Sequence, residues 1–285
     1  MSEERRACPV CPHRCLLSEG RTGLCRARGM QNGEIVPLNY GVVSSIALDP
    51  IEKKPLARYH PGSVILSVGS FGCNLRCPFC QNWEISTSDG REYLRNRDRS
   101  YVSPERLAAL AGELRGRGNI GVAFTYNEPL IGCEYVRDTA GLLRERELKT
   151  VLVTNGCVNA EIAAQLLPLV DALNIDLKSF RAQTYETLLG GDLETVKRFI
   201  ERAAENCHVE LTTLIVPGMN DTEEEIRALS EWIASLPNGA EIPLHLSRFF
   251  PRHRMTDRAA TDRECVRRLA AVAGERLQYV YPGNM

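Results

Sequence analysis

From residue 63 onward the chain alternates short apolar runs with stretches of helical periodicity. The runs fall at 64–68, 120–124, 150–153, 172–177, 209–216 and 242–246. Between the first two, Leu107, Leu110, Ala111 and Leu114 recur at helical spacing behind the start signal Ser103-Pro104. Thr222 with Glu225, and Thr261 with Glu264, have capping-box spacing ahead of two further helices. Strands separated throughout by helices imply parallel β/α units. Six such runs favour a partial (β/α)6 barrel, with an open doubly wound sheet as the competing arrangement.

Unusual polar residues gather where each run ends. Cys73-Asn74-Leu75-Arg76-Cys77-Pro78-Phe79-Cys80 follows the first, Thr125-Tyr126-Asn127-Glu128-Pro129 the second and Thr154-Asn155-Gly156 the third. Asp176-Leu177-Lys178 closes the fourth, Pro217-Gly218-Met219-Asn220-Asp221 follows the fifth, and His245-Leu246-Ser247-Arg248 closes the sixth. Any one of these is compatible with ordinary turn chemistry. Together they predict a single mouth, because barrel enzymes build their sites from loops at the C-terminal ends of the strands. Cys73, Cys77 and Cys80 stand at C-x3-C-x2-C spacing. Three thiolates on one tight loop can hold three irons of a cubane cluster, leaving the fourth iron without a nearby protein ligand. An open coordination position separates catalytic from closed structural metal sites.

The chain has 11 cysteines and no secretory signal at Met1-Ser2-Glu3-Glu4, so metal or redox chemistry is expected rather than disulfides. No apolar run is long enough to span a bilayer, and a cytoplasmic location is expected. Cys8, Cys11, Cys15 and Cys25 form C-x2-C-x3-C-x9-C in a segment with too few apolar residues for its own core. That pattern predicts a metal-nucleated fold. Zinc and a second [4Fe-4S] cluster both suit a closed four-thiolate site, and spacing does not choose between them. His13 is a further candidate ligand there. Cys133, Cys157, Cys207 and Cys265 occur singly and read as small buried hydrophobes. With 35 basic against 36 acidic residues and no block of five like charges, no nucleic-acid or membrane-surface partner is expected. The expected organisation is a four-cysteine metal-binding subdomain over 1–38 and an ordered connector over 39–62. The barrel follows over 63–250, with a C-terminal helix and strand over 251–285 packed on it.

The three-cysteine loop placed after the first strand resembles the signature of the radical S-adenosylmethionine superfamily. Further motifs extend the likeness: Asp49-Pro50-Ile51-Glu52-Lys53-Lys54-Pro55-Leu56, Gly72-Cys73-Asn74, Cys80-Gln81-Asn82-Trp83, Thr125-Tyr126-Asn127-Glu128-Pro129 and Tyr281-Pro282-Gly283-Asn284. These are similar to the AmmeMemoRadiSam-system radical enzymes, a group related to the activating enzymes of pyruvate formate-lyase, and they span nearly the whole chain. The resemblance implies a partial radical SAM barrel with a [4Fe-4S] cluster on Cys73, Cys77 and Cys80, its open iron chelated by the methionine end of the cofactor. It implies that Phe79 packs on adenine, that Glu128 receives the ammonium through a charge-assisted hydrogen bond, and that Asn155 lines the cofactor cleft. Asp176 and Lys178 resemble an Asp-Leu-Lys element whose lysine faces the cofactor carboxylate or ribose. Resembling chains often continue past the Gly-Asn element into a segment with another cysteine pair. This sequence runs to Met285, so functions resting on that segment are expected to be absent.

The activity so implied is reductive cleavage of S-adenosylmethionine to a 5′-deoxyadenosyl radical that abstracts hydrogen from an unidentified substrate. A flavodoxin or ferredoxin would supply the electron. Activation of a glycyl radical on a partner protein is one version; modification of a small molecule, nucleoside or peptide is another. A non-catalytic iron–sulfur or zinc module is the rival from a different class, and the presence of Glu128, Asn155, Asp176 and Lys178 argues against it. His208, Glu210, His245 and Arg248 are left as candidates for the substrate side of the mouth.

Overall fold

The computed structural model describes residues 5–96 and 100–285. The Met1-Ser2-Glu3-Glu4 start, and with it the opening of the expected 1–38 segment, lies outside the described residues. An N-terminal lobe holds two small antiparallel pairs. Strand β1 (Arg6–Ala7) pairs with β2 (Leu16–Leu17), and β3 (Arg28–Gln31) with β4 (Glu34–Pro37).

The rest is built on one sheet. Its centre is β6 (Val64–Gly69), β7 (Asn119–Phe124), β8 (Lys149–Thr154), β9 (Ala172–Asp176), β10 (His208–Ile215) and β11 (Leu244–Arg248), side by side in chain order and parallel. These are the six apolar runs of the sequence, joined by helices as a β/α barrel requires. The sheet continues at both edges. β5 (Ser45–Pro50) pairs antiparallel with β6, and β12 (Val280–Gly283) pairs parallel with β11. Among the described residues β5 and β12 do not pair with each other, so the barrel stays open along one side.

Successive side chains of a strand point to opposite faces, and here both faces are buried. Outward residues such as Leu66, Val122, Leu152, Leu173 and Leu211 pack with Leu107, Leu143, Val196 and Ile226 of the surrounding helices. The inward residues Ile65, Ala123, Val151 and Ala172 form a second cluster with Ile51 and Leu56. Ile51 and Leu56 come from the segment leading into β6, so that segment plugs the N-terminal end of the barrel. Two small alanines, on the strands either side of β8, leave the room. The plug is tied by Glu210, whose carboxylate accepts the backbone N–H groups of Ala57 at 2.9 Å and Arg58 at 2.8 Å.

Local signals explain the helix starts, with two corrections. Ser103 Oγ accepts the Arg106 N–H ahead of helix Pro104–Glu113, and Thr222 Oγ1 accepts the Glu225 N–H ahead of Glu223–Ala234. Glu225 does not complete the box. Its Oε1 instead takes the Ser179 hydroxyl at 2.6 Å and the Phe180 N–H at 2.8 Å. Helix Arg263–Gly274 is capped by Asp262 and not by Thr261. The Thr261 hydroxyl is already committed to the Ile215 carbonyl at 2.6 Å. No helix among the described residues is long and apolar enough to cross a membrane.

Candidate active site

The C-terminal ends of the strands open into a cavity of about 620 Å³. Cys73, Cys77, Cys80, Phe79, Glu128, Asn155, Asp176 and Lys178 all line it, although they come from the ends of four different strands. The cysteine loop leaves β6 through Gly72, which sits at φ +86° where a side chain would be strained. A Cβ there would also stand 2.5 Å from the Cys25 carbonyl oxygen. The Leu75 N–H points at Cys73 Sγ over 3.4 Å, and Cys80 Sγ lies 3.7 Å from Ser86 Oγ. Burial pushes the Cys73 thiol well above its ordinary range. It pushes Cys77 up to about 11, the nearby Lys178 ammonium working against the rise.

Glu128 ends the turn after β7 with its carboxylate buried. Oε1 takes the Thr154 hydroxyl at 2.6 Å and the Leu130 N–H at 3.0 Å, while Oε2 takes the Asn155 N–H at 2.8 Å. Burial outweighs these donors and raises its pKa to about 7. Asn155 braces the cysteine loop. Its Nδ2 donates to Asn74 Oδ1 at 3.0 Å and lies 3.7 Å from Cys73 Sγ, and its Oδ1 accepts the Cys157 N–H at 2.8 Å. Asp176 and Lys178 form an ion pair of 3.0 Å. Burial alone would lower the Lys178 pKa, but the charge and hydrogen bond of Asp176 together with its other neighbours make the net shift upward. Phe79 is buried, 4% exposed, with its ring in the cavity wall.

Among the described residues no three Cys, His, Asp or Glu side chains are drawn together as a single metal ion would require. Three thiols on one loop, all facing one cavity, instead suit a body on which each sulfur meets a different iron. The donor set therefore fits a cubane cluster with one iron left open.

Of the candidates for the substrate side, the structure keeps only His245 in the cavity wall. Glu210 and His208 are corrected: they stand on the starting half of β10, beneath the cavity wall and outside it, because that strand runs for eight residues. Glu210 is fully buried and saturated, accepting His208 Nε2 at 2.9 Å and His245 Nε2 at 2.7 Å besides the two plug amides. These partners hold its pKa down at about 2 although burial opposes that. Arg248 turns out of the cavity and donates to the Thr261 carbonyl. His13 gives its Nε2 to the Asn74 carbonyl at 2.8 Å, which takes that nitrogen out of any ligand set.

Several wall residues were not named as candidates from the sequence. Glu52 and Lys53 reach the cavity from the plug segment, Asn82 from the end of the cysteine loop and Asn284 from the end of β12. The Asn82 Nδ2 donates to the Tyr126 carbonyl at 2.7 Å. All four lie in motifs that the sequence singles out without giving them a role, and that rarity is the signal that could have found them.

Comparison with known proteins follows this geometry. A sequence model of the Radical SAM superfamily matches residues 67–233. The chain is 36% identical over 288 residues to an uncharacterized protein of Methanocaldococcus jannaschii, covering 100% of this chain and 83% of that one. It is 25% identical over 178 residues to the pyruvate formate-lyase 1-activating enzyme of Escherichia coli K12, covering 61% of this chain and 70% of the other. The crystal structure of Streptococcus suis SuiB bound to S-adenosylmethionine has the same fold at a TM-score of 0.55 and 15% identity, over 74% of this chain and 47% of that one.

Proposed function

Because the chain belongs to the Radical SAM superfamily, we propose that this enzyme cleaves S-adenosylmethionine reductively at a [4Fe-4S] cluster held by Cys73, Cys77 and Cys80, and so abstracts hydrogen from a substrate. The observation that carries this reading is the meeting of those cysteines with Phe79, Glu128, Asn155, Asp176 and Lys178 on one cavity. When bound, cluster and sulfonium supply one-electron bond cleavage, and the protein supplies position and exclusion of water.

The chain's own part follows from its charges. Glu128 offers a carboxylate to the cofactor's ammonium, a charge-assisted contact worth more than a neutral one. Lys178, kept charged by Asp176, faces the cofactor's carboxylate or ribose. Phe79 gives adenine an apolar surface. Asn155 acts through the loop, holding Asn74 and standing beside Cys73, and is a positioning residue. Glu52, Lys53, His245 and Asn284 are then among the wall residues left for substrate. In this reading a low-potential flavodoxin or ferredoxin delivers the electron.

Anaerobic reconstitution with iron and sulfide, reduction, and addition of S-adenosylmethionine should release 5′-deoxyadenosine, and Cys77→Ala should abolish it. A reduced, cluster-loaded protein that leaves the cofactor intact with every candidate substrate would count against the proposal. The likeness to the Escherichia coli activating enzyme favours a second reading, in which the substrate is a glycine of a partner protein. That version requires a stable protein radical, visible by electron paramagnetic resonance (EPR), on the partner.

A further inference from the structure

Away from the cavity, the N-terminal lobe gathers Cys8, Cys11, Cys15 and Cys25. We infer that these four thiols are the ligands of a second iron–sulfur cluster, and not of a zinc ion, seated against the back of the loop that carries Cys73.

The four are neighbours in space. The Cys8 N–H donates to the Cys15 carbonyl at 2.9 Å, the Arg14 N–H turns back to the Cys11 carbonyl at 3.1 Å, and the Cys15 sulfur lies beside Gly23 and Leu24, next to Cys25 in the chain. Backbone amides are aimed at the sulfurs. The His13 N–H points at Cys11, the Ala27 and Arg28 N–H groups at Cys25, and the Leu24 N–H at Cys15 over 3.5 Å. A cysteine packed only as a small hydrophobe has no use for such donors; a thiolate does. Two turns of the lobe put non-glycine residues in left-handed backbone, Arg14 at φ +40° and Arg26 directly after Cys25 at φ +62°. Conformations of that kind persist where the surroundings over-determine them, often at ligand clamps.

Spacing selects the partner. Four thiolates around one zinc stand roughly 3.8 Å apart, from Zn–S bonds of about 2.3 Å at the tetrahedral angle. No three donors among the described residues are gathered as a single ion would need. Four thiols that share one lobe without converging on a single point suit a cluster, where each sulfur takes its own iron. The lobe itself is firmly seated. Arg28 pairs with Glu134 at 2.7 Å, Asn159 binds the Pro9 carbonyl at 2.6 Å and the Val10 carbonyl at 3.0 Å, and His13 holds Asn74. The Cys25 carbonyl lies directly against Gly72.

The test removes the other site. A Cys73→Ala/Cys77→Ala/Cys80→Ala variant, reconstituted anaerobically with both iron and zinc available, should retain about four irons and as many acid-labile sulfides per chain, or about two of each for the smaller cluster type. On reduction it should give an EPR signal that S-adenosylmethionine leaves unchanged. Zinc without labile sulfide, or a folded variant with no metal, overturns the inference. Should that variant not fold, wild type and Cys11→Ala/Cys25→Ala are compared instead. A deficit of one cluster's iron in the double variant supports the site, and equal iron refutes it. The iron count does not depend on whether the chain cleaves S-adenosylmethionine, so failure here and failure of the catalytic proposal are told apart.

Discussion

The Glu128 carboxylate accepts the Asn155 backbone N–H at 2.8 Å, which joins the turn after β7 to the end of β8 directly behind Cys73. Burial nevertheless keeps this acid at about 7, so near neutrality it is only partly ionised. An arriving ammonium group favours the ionised form. Affinity for S-adenosylmethionine should therefore rise with pH through about 7 and flatten above it. Binding to the reconstituted protein at several pH values checks this. Glu128→Gln should bind roughly tenfold more weakly at high pH and lose the dependence.

The same acid leaves a mark on stability. Its folded pKa lies above the ordinary value of 4.5, so its contribution is complete below about 4.5 and is lost as pH rises through about 7. Glu128→Gln should flatten that part of the stability–pH curve, as measured by denaturant unfolding.

Glu210 has the opposite sign. Held down at about 2 by His208, His245 and the plug amides against the pull of burial, it stabilises above the unfolded carboxylate value and loses that effect as pH falls through about 2. Glu210→Ala strands two histidines and two backbone donors, and should cost on the order of 3–5 kcal/mol. Glu210→Gln, which keeps the shape, should cost less, about 1–3 kcal/mol. Thermal melts of the two variants decide it.

Burial works against the Lys178 charge, yet Asp176 together with the other neighbouring groups shifts its pKa upward. Lys178→Met should weaken cofactor binding by about tenfold or more while leaving the iron content of the Cys73 loop intact. Loss of iron together with binding would mean that Lys178 supports the loop and not the cofactor.

Gly72→Ala places a methyl group 2.5 Å from the Cys25 carbonyl oxygen at a left-handed φ. The expected cost is about 2 kcal/mol or more. It should appear first as faster proteolysis within residues 5–37, because the clash falls on the seat of the lobe.

Much of the fold was legible because strand and helix periods differ so clearly: 64–68 and 209–216 read as strands whichever helix packs on them. β5 was not, since Ser-Ile-Ala-Leu-Asp-Pro is short, half exposed and flanked by turn residues. The cap on the last helix was misread because Thr261 and Asp262 are adjacent and either could serve. Only tertiary structure shows that Ile215 claims the threonine. Glu210 was misplaced for a geometric reason: alternation tells which face a residue takes, not how far along an eight-residue strand it stands. The strand-end residues Glu128, Asn155, Asp176 and Lys178 could be named because their motifs mark the strand ends. Glu52 and Lys53 reach the same wall from outside the β/α units, so no strand end marks them and only the rarity of their motif does.

The seat of the N-terminal lobe is made from residues far down the chain: Phe71 and Ile131 pack with Cys25 and Ala27, and Glu134 and Asn159 supply its polar anchors. A ribosome delivers the lobe long before it delivers that seat. Docking is therefore a late event in the life of the nascent polypeptide, governed by closure of a long loop and not by the lobe's own local preferences.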